Sequence, residues 1–291
     1  MENDCPICYL CQGPTTHRLY ASLPKIWICK KCGLVFHYPQ PELDFLKEHY
    51  GKGYFISRSS VAVGYDNYLR DEENIRMSFR KRFRYIDRFF VKPGRLLDVG
   101  CAAGFFLSEA VSRGWNAEGV EISAFMSQYA QRSGLRVFEG AFEEYAEKAD
   151  AAFDMVTVWD VFEHLRDPRK DLCKIHRLLK RGGCLVMTTP AIDSLPHFLF
   201  RERWMGFKEE EHLFFFSKKT MNSLLAQCGF KVRFMKFEGK YVSLDLLKRR
   251  IGCYWKGLSE YLRRSFPTRW GRSNNLYINP MDIRLVIAQK I

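Results

Sequence analysis

Hydrophobic positions follow two different spacings along the chain, and the change between them divides the sequence. Between Asp66 and Phe90 the spacing is that of an amphipathic helix, with a basic stripe beside the apolar one. The apolar positions are Ile75, Phe79, Phe83, Ile86 and Phe90, and the basic ones are Arg76, Arg80, Arg84 and Arg88. Pro93-Gly94 ends this helix, and from Arg95 short apolar runs alternate with helical segments. That alternation predicts a parallel sheet covered by helices.

The boundaries of these elements are readable from the same pattern. Strands are predicted at 95–99, 117–122, 153–159, 184–189, 231–237 and 283–288, and helices at 105–113, 123–133, 168–180 and 220–227. Asp167-Pro168 places a capping side chain and a proline at the start of the third helix, and Gly182-Gly183 ends it. The core of the chain is therefore predicted to be an α/β domain.

Cysteines concentrate at the N-terminus, where five of the ten lie in the first 32 residues. Cys8-x2-Cys11 and Cys29-x2-Cys32, seventeen residues apart, match the spacing of a two-knuckle zinc site in which four thiolates complete a tetrahedron. Cys5-x2-Cys8 fits the count as well, so Cys5 stands as an alternative to Cys11; Gly13 favours the later pair. Four thiolates leave no open position, so the predicted zinc is structural.

Composition and charge narrow the class of protein. Hydrophobic residues make up 47% and charged residues 27%, which is typical of a globular chain and argues against disorder. The net charge of +13 is concentrated in two stretches, 76–95 and 240–272, and indicates an anionic partner or two solvated helix faces. No apolar stretch is long enough to span a membrane, and the start lacks a basic signal-peptide region. We therefore expect a cytoplasmic protein.

Acidic side chains end three of the predicted strands. Asp98 precedes the glycine turn Gly100 to Gly104, Glu121 follows Gly100 by 21 residues, and Asp160 ends the strand at 153–159. Ligands of an open α/β sheet bind beyond the carboxyl ends of its strands, and an acid in the place of Glu121 accepts hydrogen bonds from a ribose diol. The turn lacks the glycines of a pyrophosphate site, so these residues predict a cationic nucleoside as the ligand.

These segments resemble the motifs of class I S-adenosylmethionine-dependent methyltransferases. Leu96-Leu-Asp-Val-Gly-Cys-Ala-Ala-Gly104 is similar to their first motif and Gly119-Val-Glu-Ile-Ser123 to their second. Phe153 to Leu165 and Leu178 to Pro190 resemble the fourth- and fifth-strand motifs. Glu210-Glu-His-Leu-Phe-Phe-Phe-Ser217 is similar to the later part of a bacterial branch that carries an N-terminal Cys-x2-Cys module and a Tyr-x3-Tyr segment, here Tyr50 to Tyr54.

The resemblance implies a fold and a set of roles. The fold is a doubly wound, Rossmann-like sheet, mostly parallel with its last strand antiparallel, plus a small zinc-ribbon-like N-terminal module. The cofactor is S-adenosylmethionine, with Glu121 on the ribose, Ala141-Phe142 on the adenine and Asp160 at the methionine end. Asp98, Gly100 and Gly104 would shape the loop around the methionine moiety. Tyr50 and Tyr54 would either close over the cofactor or pack between the helical segment and the core.

Two histidines are the candidate catalytic groups. A hydroxyl acceptor needs a base, for which His164 and His212 are the candidates, and Trp204 with Phe214 to Phe216 would wall the acceptor pocket. Alternatively, Asp160, Glu163 and His164 would hold a divalent cation, as in some quinone-directed relatives. A structural role for either histidine is the remaining alternative.

The predicted organisation is a zinc-binding module at 1–41, a helical cap at 42–92 and a methyltransferase domain at 93–291 with a basic insert at about 240–278. Aromatic and aliphatic residues between the cations of the insert suit an anionic membrane surface or a lipid-linked glycan. We therefore expect O-methylation of a small molecule or of a glycan- or lipid-linked intermediate. Methylation of RNA and a non-catalytic, cofactor-binding scaffold are the alternatives. The sequence leaves the acceptor atom and the oligomeric state open.

Overall fold

The structure is a computed structural model that describes residues 5–13, 16–41, 55, 68–90, 92–150, 153–208, 211–244, 246–247 and 275–291. Tyr50, Tyr54 and most of the basic insert lie outside these residues, so their roles stay predictions. Glu210 lies outside them as well.

The N-terminal module is a small antiparallel sheet. Its strands are β1 (Thr16–Tyr20), β2 (Leu23–Cys29) and β3 (Val35–His37). β1 pairs with β2 and β2 with β3. The helix predicted from the first apolar stripe follows as α1 (Glu72–Ile86), which buries Phe79, Phe83 and Ile86 on one side. An amphipathic helix of this kind gains its stability from burying that side rather than from its own propensity.

The remainder of the described chain forms a larger sheet with its helices. In chain order its first elements are β4 (Arg95–Val99), α2 (Phe105–Ser112), β5 (Asn116–Glu121), α3 (Ala124–Arg132), β6 (Val137–Glu139), α4 (Phe142–Lys148), β7 (Phe153–Trp159), α5 (Pro168–Leu178) and β8 (Leu179–Pro190). Then follow α6 (Leu195–Phe200), β9 (Phe214–Phe215), α7 (Lys218–Gln227), β10 (Phe230–Phe237), β11 (Lys240–Ser243), β12 (Asn275–Ile278) and β13 (Ile283–Lys290).

Seven strands build the central sheet in the order β10-β13-β8-β7-β4-β5-β6. Neighbours from β8 to β6 are parallel, whereas β13 runs antiparallel to β8 and to β10. The predicted Rossmann-like sheet, mostly parallel with an antiparallel last strand, is confirmed. The middle strands β7, β8 and β13 are buried along most of their length, and β8 and β13 contain the longest apolar runs of the sheet. The carboxyl ends of the parallel strands meet at one edge of this sheet.

The two ends of the helix α5 have different physical causes. Asp167 accepts the backbone N–H of Lys170 at the start of α5, as predicted, with Pro168 in the first helical position. The helix ends at Leu178 rather than at 180, because Leu179 already pairs with Phe153 of β7. Pairing of β8 with β7 therefore ends the helix before Gly182 and Gly183.

The structure contains strands that the periodicity did not reveal. β6 has three residues, and β9 has two and joins the N-terminal module rather than the central sheet, pairing with β3. β11 and β12 pair with each other across the basic insert. Such short strands carry too few residues for an alternation to be recognised. Among the described residues, no helix is both long and apolar enough to cross a membrane.

Candidate functional site

The loop after β4 turns sharply at the carboxyl end of the sheet. Gly100 has a φ of +72°, and a Cβ atom there would lie 2.5 Å from Cγ2 of Val161, so only glycine fits. The backbone N–H groups of Gly100 and Cys101 both donate to the carbonyl of Val120, at 2.8 and 3.1 Å. Gly104, also at positive φ, leads into α2. The loop is thereby fixed beside the end of β5.

Glu121 is the last residue of β5 and lies buried beside this loop. Its carboxylate accepts the backbone N–H of Ala102 with Oε2 and that of Ser123 with Oε1, both at 2.8 Å. Burial raises the pKa of Glu121, and the backbone donors partly offset the increase. Each oxygen keeps a second lone pair, so the carboxylate can accept two more hydrogen bonds, as a diol would require.

Asp98 lies beneath the loop rather than on its surface. Its side chain is 1% exposed, and the hydroxyl of Thr157 on the neighbouring strand donates to Oδ1 at 2.6 Å. Burial raises the pKa of Asp98 to about 8, although the hydroxyl acts against the increase. The side chain of Asp98 therefore links β4 to β7.

Asp160 directly follows β7 and has a left-handed backbone conformation, with a φ of +52°. The hydroxyl of Thr188 on β8 donates to Oδ1 of Asp160 at 2.8 Å. Burial alone would raise the pKa of Asp160, but the positive charges of Arg82 and Lys240 and this hydrogen bond lower it. Asp160 is therefore an ionised carboxylate.

Arg82 was not among the predicted site residues. It is 4% exposed, its guanidinium lies 5.0 Å from the ring centroid of Trp159, and its Nε has no hydrogen-bond partner among the described residues. The sequence could have indicated a buried arginine, because Arg82 lies between Phe79 and Phe83 on the apolar side of α1, away from the basic stripe. A cation on the buried side of a helix is costly unless it meets an anion.

The residues predicted to contact adenine lie next to the Glu121 strand. The backbone N–H of Gly140 donates to the carbonyl of Glu121 at 2.9 Å, and Ala141 and Phe142 follow at the start of α4. The side chain of Phe142 is buried. Glu121, Ala141 and Phe142 are thus brought to the same edge of the sheet as Gly100 and Asp160.

A second group of side chains lies just past Asp160. Glu163, His164 and His212 place one donor atom each within 4.8 Å of one another. Nε2 of His164 lies 3.9 Å and Nε2 of His212 4.0 Å from Oε1 of Glu163, and the two rings meet edge to face with centroids 4.8 Å apart. The structure thereby joins both predicted histidines. We call Glu163, His164 and His212 the acidic-imidazole cluster.

The ionisation of this cluster follows from its burial. Burial lowers the pKa of His164 to about 4 and the pKa of His212 well below its usual value, so both rings are neutral at pH 7. Burial and the charge of Asp160 raise the pKa of Glu163 to about 8. Asp160 itself lies outside the cluster. The predicted cation set of Asp160, Glu163 and His164 is thus not the one the structure groups.

The N-terminal module fixes the segment that carries His212. The backbone N–H of His37 on β3 donates to the carbonyl of Leu213 at 2.9 Å, and the N–H of Leu213 donates to the carbonyl of Glu163 at 2.8 Å. β3 then pairs with β9 directly after this point. His212 is therefore held between the module and the Glu163 turn, a connection that the sequence pattern did not indicate.

The predicted aromatic wall lies inside the protein. Trp204 and Phe214 to Phe216 are at most 2% exposed and pack in the core clusters around β3 and α7. β9 carries Phe214 and Phe215 into the junction between the module and the central sheet, and a role for these aromatic residues in an acceptor pocket stays a prediction.

The four cysteines predicted to bind zinc come together. Sγ of Cys8 lies 3.4 Å from Sγ of Cys32, and Sγ of Cys11 lies 3.5 Å from Sγ of Cys29. Cys5 is exposed and outside this group.

The two cysteine turns have the same backbone geometry. In each, the N–H of the first cysteine donates to the residue five positions later, and its carbonyl accepts from the residue four positions later. Those later residues are Gly13 and Gln12 in one turn, and Leu34 and Gly33 in the other; Gln12 and Gly33 both have positive φ. The repeat supports the pairing of Cys8 with Cys11, and four converging sulfurs are the donor set of structural zinc.

Comparison with known proteins places the central sheet in a family. Residues 72–233, more than half of the chain, match a family model described as a methyltransferase domain. The chain is 28% identical over 171 residues to an uncharacterized protein of Methanocaldococcus jannaschii, a match that covers 58% of this chain and 78% of that one.

Ubiquinone biosynthesis O-methyltransferases are also similar. The protein of Saccharophagus degradans is 31% identical over 115 residues, which is 37% of this chain and 49% of that protein. The protein of Pseudomonas aeruginosa is 31% identical over the same length, 37% of this chain and 50% of its own. The chain thus spans about half the length of these relatives.

Solved structures share the fold. A SAM-dependent methyltransferase of Archaeoglobus fulgidus gives a TM-score of 0.52 at 21% identity, over 77% of this chain and 99% of that one. Magnesium protoporphyrin IX methyltransferase of Synechocystis PCC 6803, solved with bound SAH, gives 0.53 at 13% identity, over 86% of this chain and 100% of that one. The family match over most of the central sheet, and the strand order of that sheet, identify this chain as a class I S-adenosylmethionine-dependent methyltransferase.

Proposed function

We propose that this methyltransferase transfers the methyl group to a hydroxyl oxygen of a small molecule, free or carried on a glycan or lipid. The observation that carries the proposal is the acidic-imidazole cluster, which lies directly beyond Asp160 at the carboxyl edge of the sheet. An oxygen acceptor must lose its proton, and neutral imidazoles at this edge can accept one. The names of the ubiquinone O-methyltransferases to which the chain is similar agree with an oxygen acceptor.

The residues at the sheet edge fit the nucleoside part of S-adenosylmethionine. Glu121 has lone pairs directed past the loop for the two ribose hydroxyls, and its orientation is fixed by the N–H groups of Ala102 and Ser123. Ala141 and Phe142 would lie against the adenine. Gly100 leaves the space that a side chain would fill, and Asp98 and Gly104 hold the turn. Tyr50 and Tyr54 are proposed to cover the cofactor.

The amino-acid part of the cofactor fits a pair of opposite charges. Asp160 is an ionised carboxylate that would hold the ammonium group, and Arg82, with its unpartnered Nε, would hold the carboxylate. Charge-assisted hydrogen bonds of this type are about twice as strong as neutral ones. The guanidinium of Arg82 already interacts with the charge of Asp160, and the carboxylate of the cofactor would give its Nε a hydrogen-bond partner.

The chemistry at the acceptor needs alignment and removal of a proton. Bound S-adenosylmethionine supplies a methyl group on a sulfonium, which makes the carbon electrophilic. Glu163, His164 and His212 would bind the acceptor hydroxyl, and Nε2 of His212 or His164 would take its proton. As the oxygen–carbon bond forms, the carbon–sulfur bond would break, and the demethylated cofactor would leave as a neutral thioether. Burial of these groups excludes water, which would otherwise compete as a proton donor and acceptor.

Exposed apolar residues on α6 support an acceptor with an apolar part. Phe198 is 77% exposed, and Leu195 and Leu199 are exposed beside it, so α6 presents its apolar side to solvent. In the chain, α6 is followed by the segment that contains Gly206 and His212. This segment connects the exposed apolar surface of α6 to the acidic-imidazole cluster. A lipid-linked acceptor would contact both.

The N-terminal module is proposed to hold a structural zinc ion. Cys8, Cys11, Cys29 and Cys32 supply four sulfurs and no open position, so the ion would stabilise the module rather than act on the acceptor. Through β3 and Leu213 the module would also keep His212 in place.

The proposal is tested by calorimetry and by label transfer. We expect Glu121→Ala to weaken S-adenosylmethionine binding tenfold or more, about 1.4 kcal/mol, while the wild type transfers labelled methyl groups to hydroxylated compounds in a panel with and without apolar tails. Glu118→Ala is the matched control, because Glu118 lies on the same strand but pairs with Arg95.

Two outcomes would contradict the proposal. Equal cofactor affinity in the Glu121 variant and the wild type would remove the ribose assignment. Label transfer only to nitrogen or carbon acceptors, or to mixed RNA in a salt-dependent manner, would remove the oxygen assignment and favour another acceptor class.

A further inference from the structure

Three atoms that accept hydrogen bonds converge inside the acidic-imidazole cluster. They are Oε1 of Glu163 and Nε2 of His164 and His212, with nitrogen-to-oxygen distances of 3.9 and 4.0 Å. All three atoms lie within 4.8 Å of one another, and the residues come from two segments that are far apart in the chain, at 163–164 and at 212. The fold has brought them together, since no local spacing does so.

The protonation of the two imidazoles is set by their other nitrogens. Nδ1 of His164 lies 2.8 Å from the carbonyl of Glu211, and Nδ1 of His212 lies 2.8 Å from the carbonyl of Gly206. A carbonyl oxygen can only accept, so each Nδ1 must donate its proton. In a neutral imidazole the opposite nitrogen, Nε2, then carries a lone pair. Both lone pairs are therefore on the side that faces Glu163.

The carboxyl group of Glu163 lies buried against the two imidazoles. Glu163 is 1% exposed, and its Oε2 forms no hydrogen bond of ordinary geometry among the described residues. Oε1 of Glu163 and the two imidazole lone pairs face one another. One carboxyl oxygen and two imidazole nitrogens in this arrangement form a donor set for a metal cation.

We propose that Glu163, His164 and His212 bind a divalent first-row transition-metal ion, at a site distinct from the four cysteines. Two imidazoles and one carboxylate suit zinc, iron, manganese or cobalt, whereas magnesium and calcium prefer oxygen donors throughout. The hydrogen bonds from Nδ1 to backbone carbonyls are the outer contacts that orient histidine ligands at metal sites. Three protein ligands leave a position open, unlike the closed four-sulfur set.

The ligand atoms of the cluster must move closer together to bind such an ion. Metal-to-nitrogen and metal-to-oxygen bonds of about 2.0–2.2 Å place tetrahedral ligand atoms roughly 3.4 Å apart. The nitrogen-to-oxygen separations of 3.9 and 4.0 Å therefore need to close by about half an ångström. The two imidazole nitrogens lie within 4.8 Å of each other, so their separation closes by at most about 1.4 Å.

Asp160 is close to this site but not part of it. Its Oδ1 is engaged by the hydroxyl of Thr188, and it lies outside the group of converging atoms. The acid that ends β7 thus faces the cofactor, and the acid three positions later faces the acceptor. The division assigns Asp160 and Glu163 to different ligands.

The role of the ion, though not its site, rests on the proposed function. In the open position it would bind the acceptor oxygen and favour the deprotonated form, with the proton released to solvent instead of to an imidazole. The acceptor class is then one that offers an ionisable oxygen, such as a phenol or an enol.

Cobalt provides a direct test in the full-length protein with zinc retained at the cysteines. After brief dialysis against a weak chelator, Co²⁺ is added while visible absorption and metal content per chain are measured. We expect one Co²⁺ per chain, with ligand-field bands but no thiolate-to-cobalt charge transfer. Glu163→Gln and His212→Asn should each weaken this binding tenfold or more. Asparagine can still donate to the Gly206 carbonyl, which favours folding of that variant.

Asp171→Asn is the matched control, because Asp171 is equally buried but pairs with Lys174. The control should bind Co²⁺ like the wild type. A wild-type chain that takes up no Co²⁺ beyond its zinc, or Co²⁺ binding that both cluster variants retain, would overturn the proposal. Circular dichroism and S-adenosylmethionine titration of each variant verify that it is folded.

The same samples separate this inference from the proposed function. Label transfer to a hydroxyl acceptor by a chain that binds no Co²⁺ would overturn the metal site and leave O-methylation intact. Co²⁺ binding by a chain that methylates no oxygen acceptor would support the site and contradict the proposed acceptor.

Discussion

The two sides of the candidate site are built in different ways. On the side proposed to bind the cofactor, Gly100, Glu121 and Asp160 lie at the carboxyl ends of three strands of one sheet, and the neighbouring strands are joined by short loops and helices. On the acceptor side, Glu163 and His164 follow β7, whereas His212 comes from a segment clamped by the N-terminal module. The first side is a property of the sheet, and the second is a property of how the module packs on it.

Because of this difference, we expect that a substitution can impair cofactor binding without impairing acceptor methylation chemistry, and the reverse. A change in the cysteine module should reach His212 through β3 and Leu213 but should leave the loop at Gly100 intact. A change at the end of β5 should do the reverse. The following predictions test that separation.

The largest effect is expected from His212→Ala. Loss of this imidazole should lower the rate of methyl transfer by about 10²–10⁴, the usual contribution of a proton-accepting or metal-binding side chain. Cofactor affinity should stay within about twofold, a change of less than about 0.5 kcal/mol. Single-turnover label transfer and calorimetry measure the two. His176→Ala, which removes a histidine on α5, is the control; a comparable rate loss there would point to a general loss of stability.

Disruption of the zinc site should act on the same side with a smaller effect. Cys29→Ser should lower the zinc content and reduce kcat/KM for the acceptor by about tenfold, since misplaced catalytic groups cost rate through poor alignment. Binding of S-adenosylmethionine should be retained. Cys5→Ser is the control, because Cys5 is exposed and outside the cluster. Equal zinc loss in both variants would show that Cys5 binds zinc and would favour the alternative ligand set, with Cys5 in place of Cys11.

On the cofactor side, Arg82→Met should weaken S-adenosylmethionine binding by about tenfold, since charge-assisted hydrogen bonds contribute about 1.5–3 kcal/mol. Methionine keeps the apolar contacts with Trp159. Arg80→Met is the control on the same helix, because Arg80 is more exposed and pairs with Glu109. Calorimetric titration measures both. If the two variants bind alike, Arg82 has only a packing role.

The smallest expected effect is on stability. The pKa of Asp98 is about 8 in the folded chain and about 4 in an unfolded one, so the folded state holds a proton that the unfolded state releases between these values. Stability from this group is complete below pH 4 and falls as the pH rises toward 8. Asp98→Asn keeps an acceptor for Thr157 and should raise the free energy of unfolding by about 1 kcal/mol at pH 8.

The gain should vanish at about pH 3, where Asp98 is protonated in both states. Urea denaturation at the two pH values measures it. A gain of equal size at both would show that the carboxyl does not titrate as its burial requires.

The cofactor side could largely be predicted from the sequence. The run Leu96 to Gly104 carries its strand, turn and helix start within nine residues, and Glu121 follows at a fixed interval. Parallel strands align their carboxyl ends, so local motifs on neighbouring strands converge without further information. Arg82 was not predicted as a site residue, because the other arginines of α1 form a basic stripe and the sequence analysis did not treat Arg82 separately from it.

The acceptor side could be predicted only in part. His164 and His212 were recognisable as candidates, but their meeting with Glu163 depends on the pairing of β3 with β9, a two-residue contact between segments far apart in the chain. The same pairing buries Phe214 to Phe216, which the sequence pattern alone placed on a pocket wall.

The sequence by itself determined the order of the main strands and helices of the central sheet, three of the four cysteines that meet (Cys8, Cys29 and Cys32), and the acids at the strand ends, because each follows from periodicity or spacing over a short stretch. Only the tertiary structure decided which acid faces which histidine, and that the N-terminal module holds one wall of the acceptor side. The physical reason is that long-range contacts are chosen by the packing of whole faces, which no local spacing records.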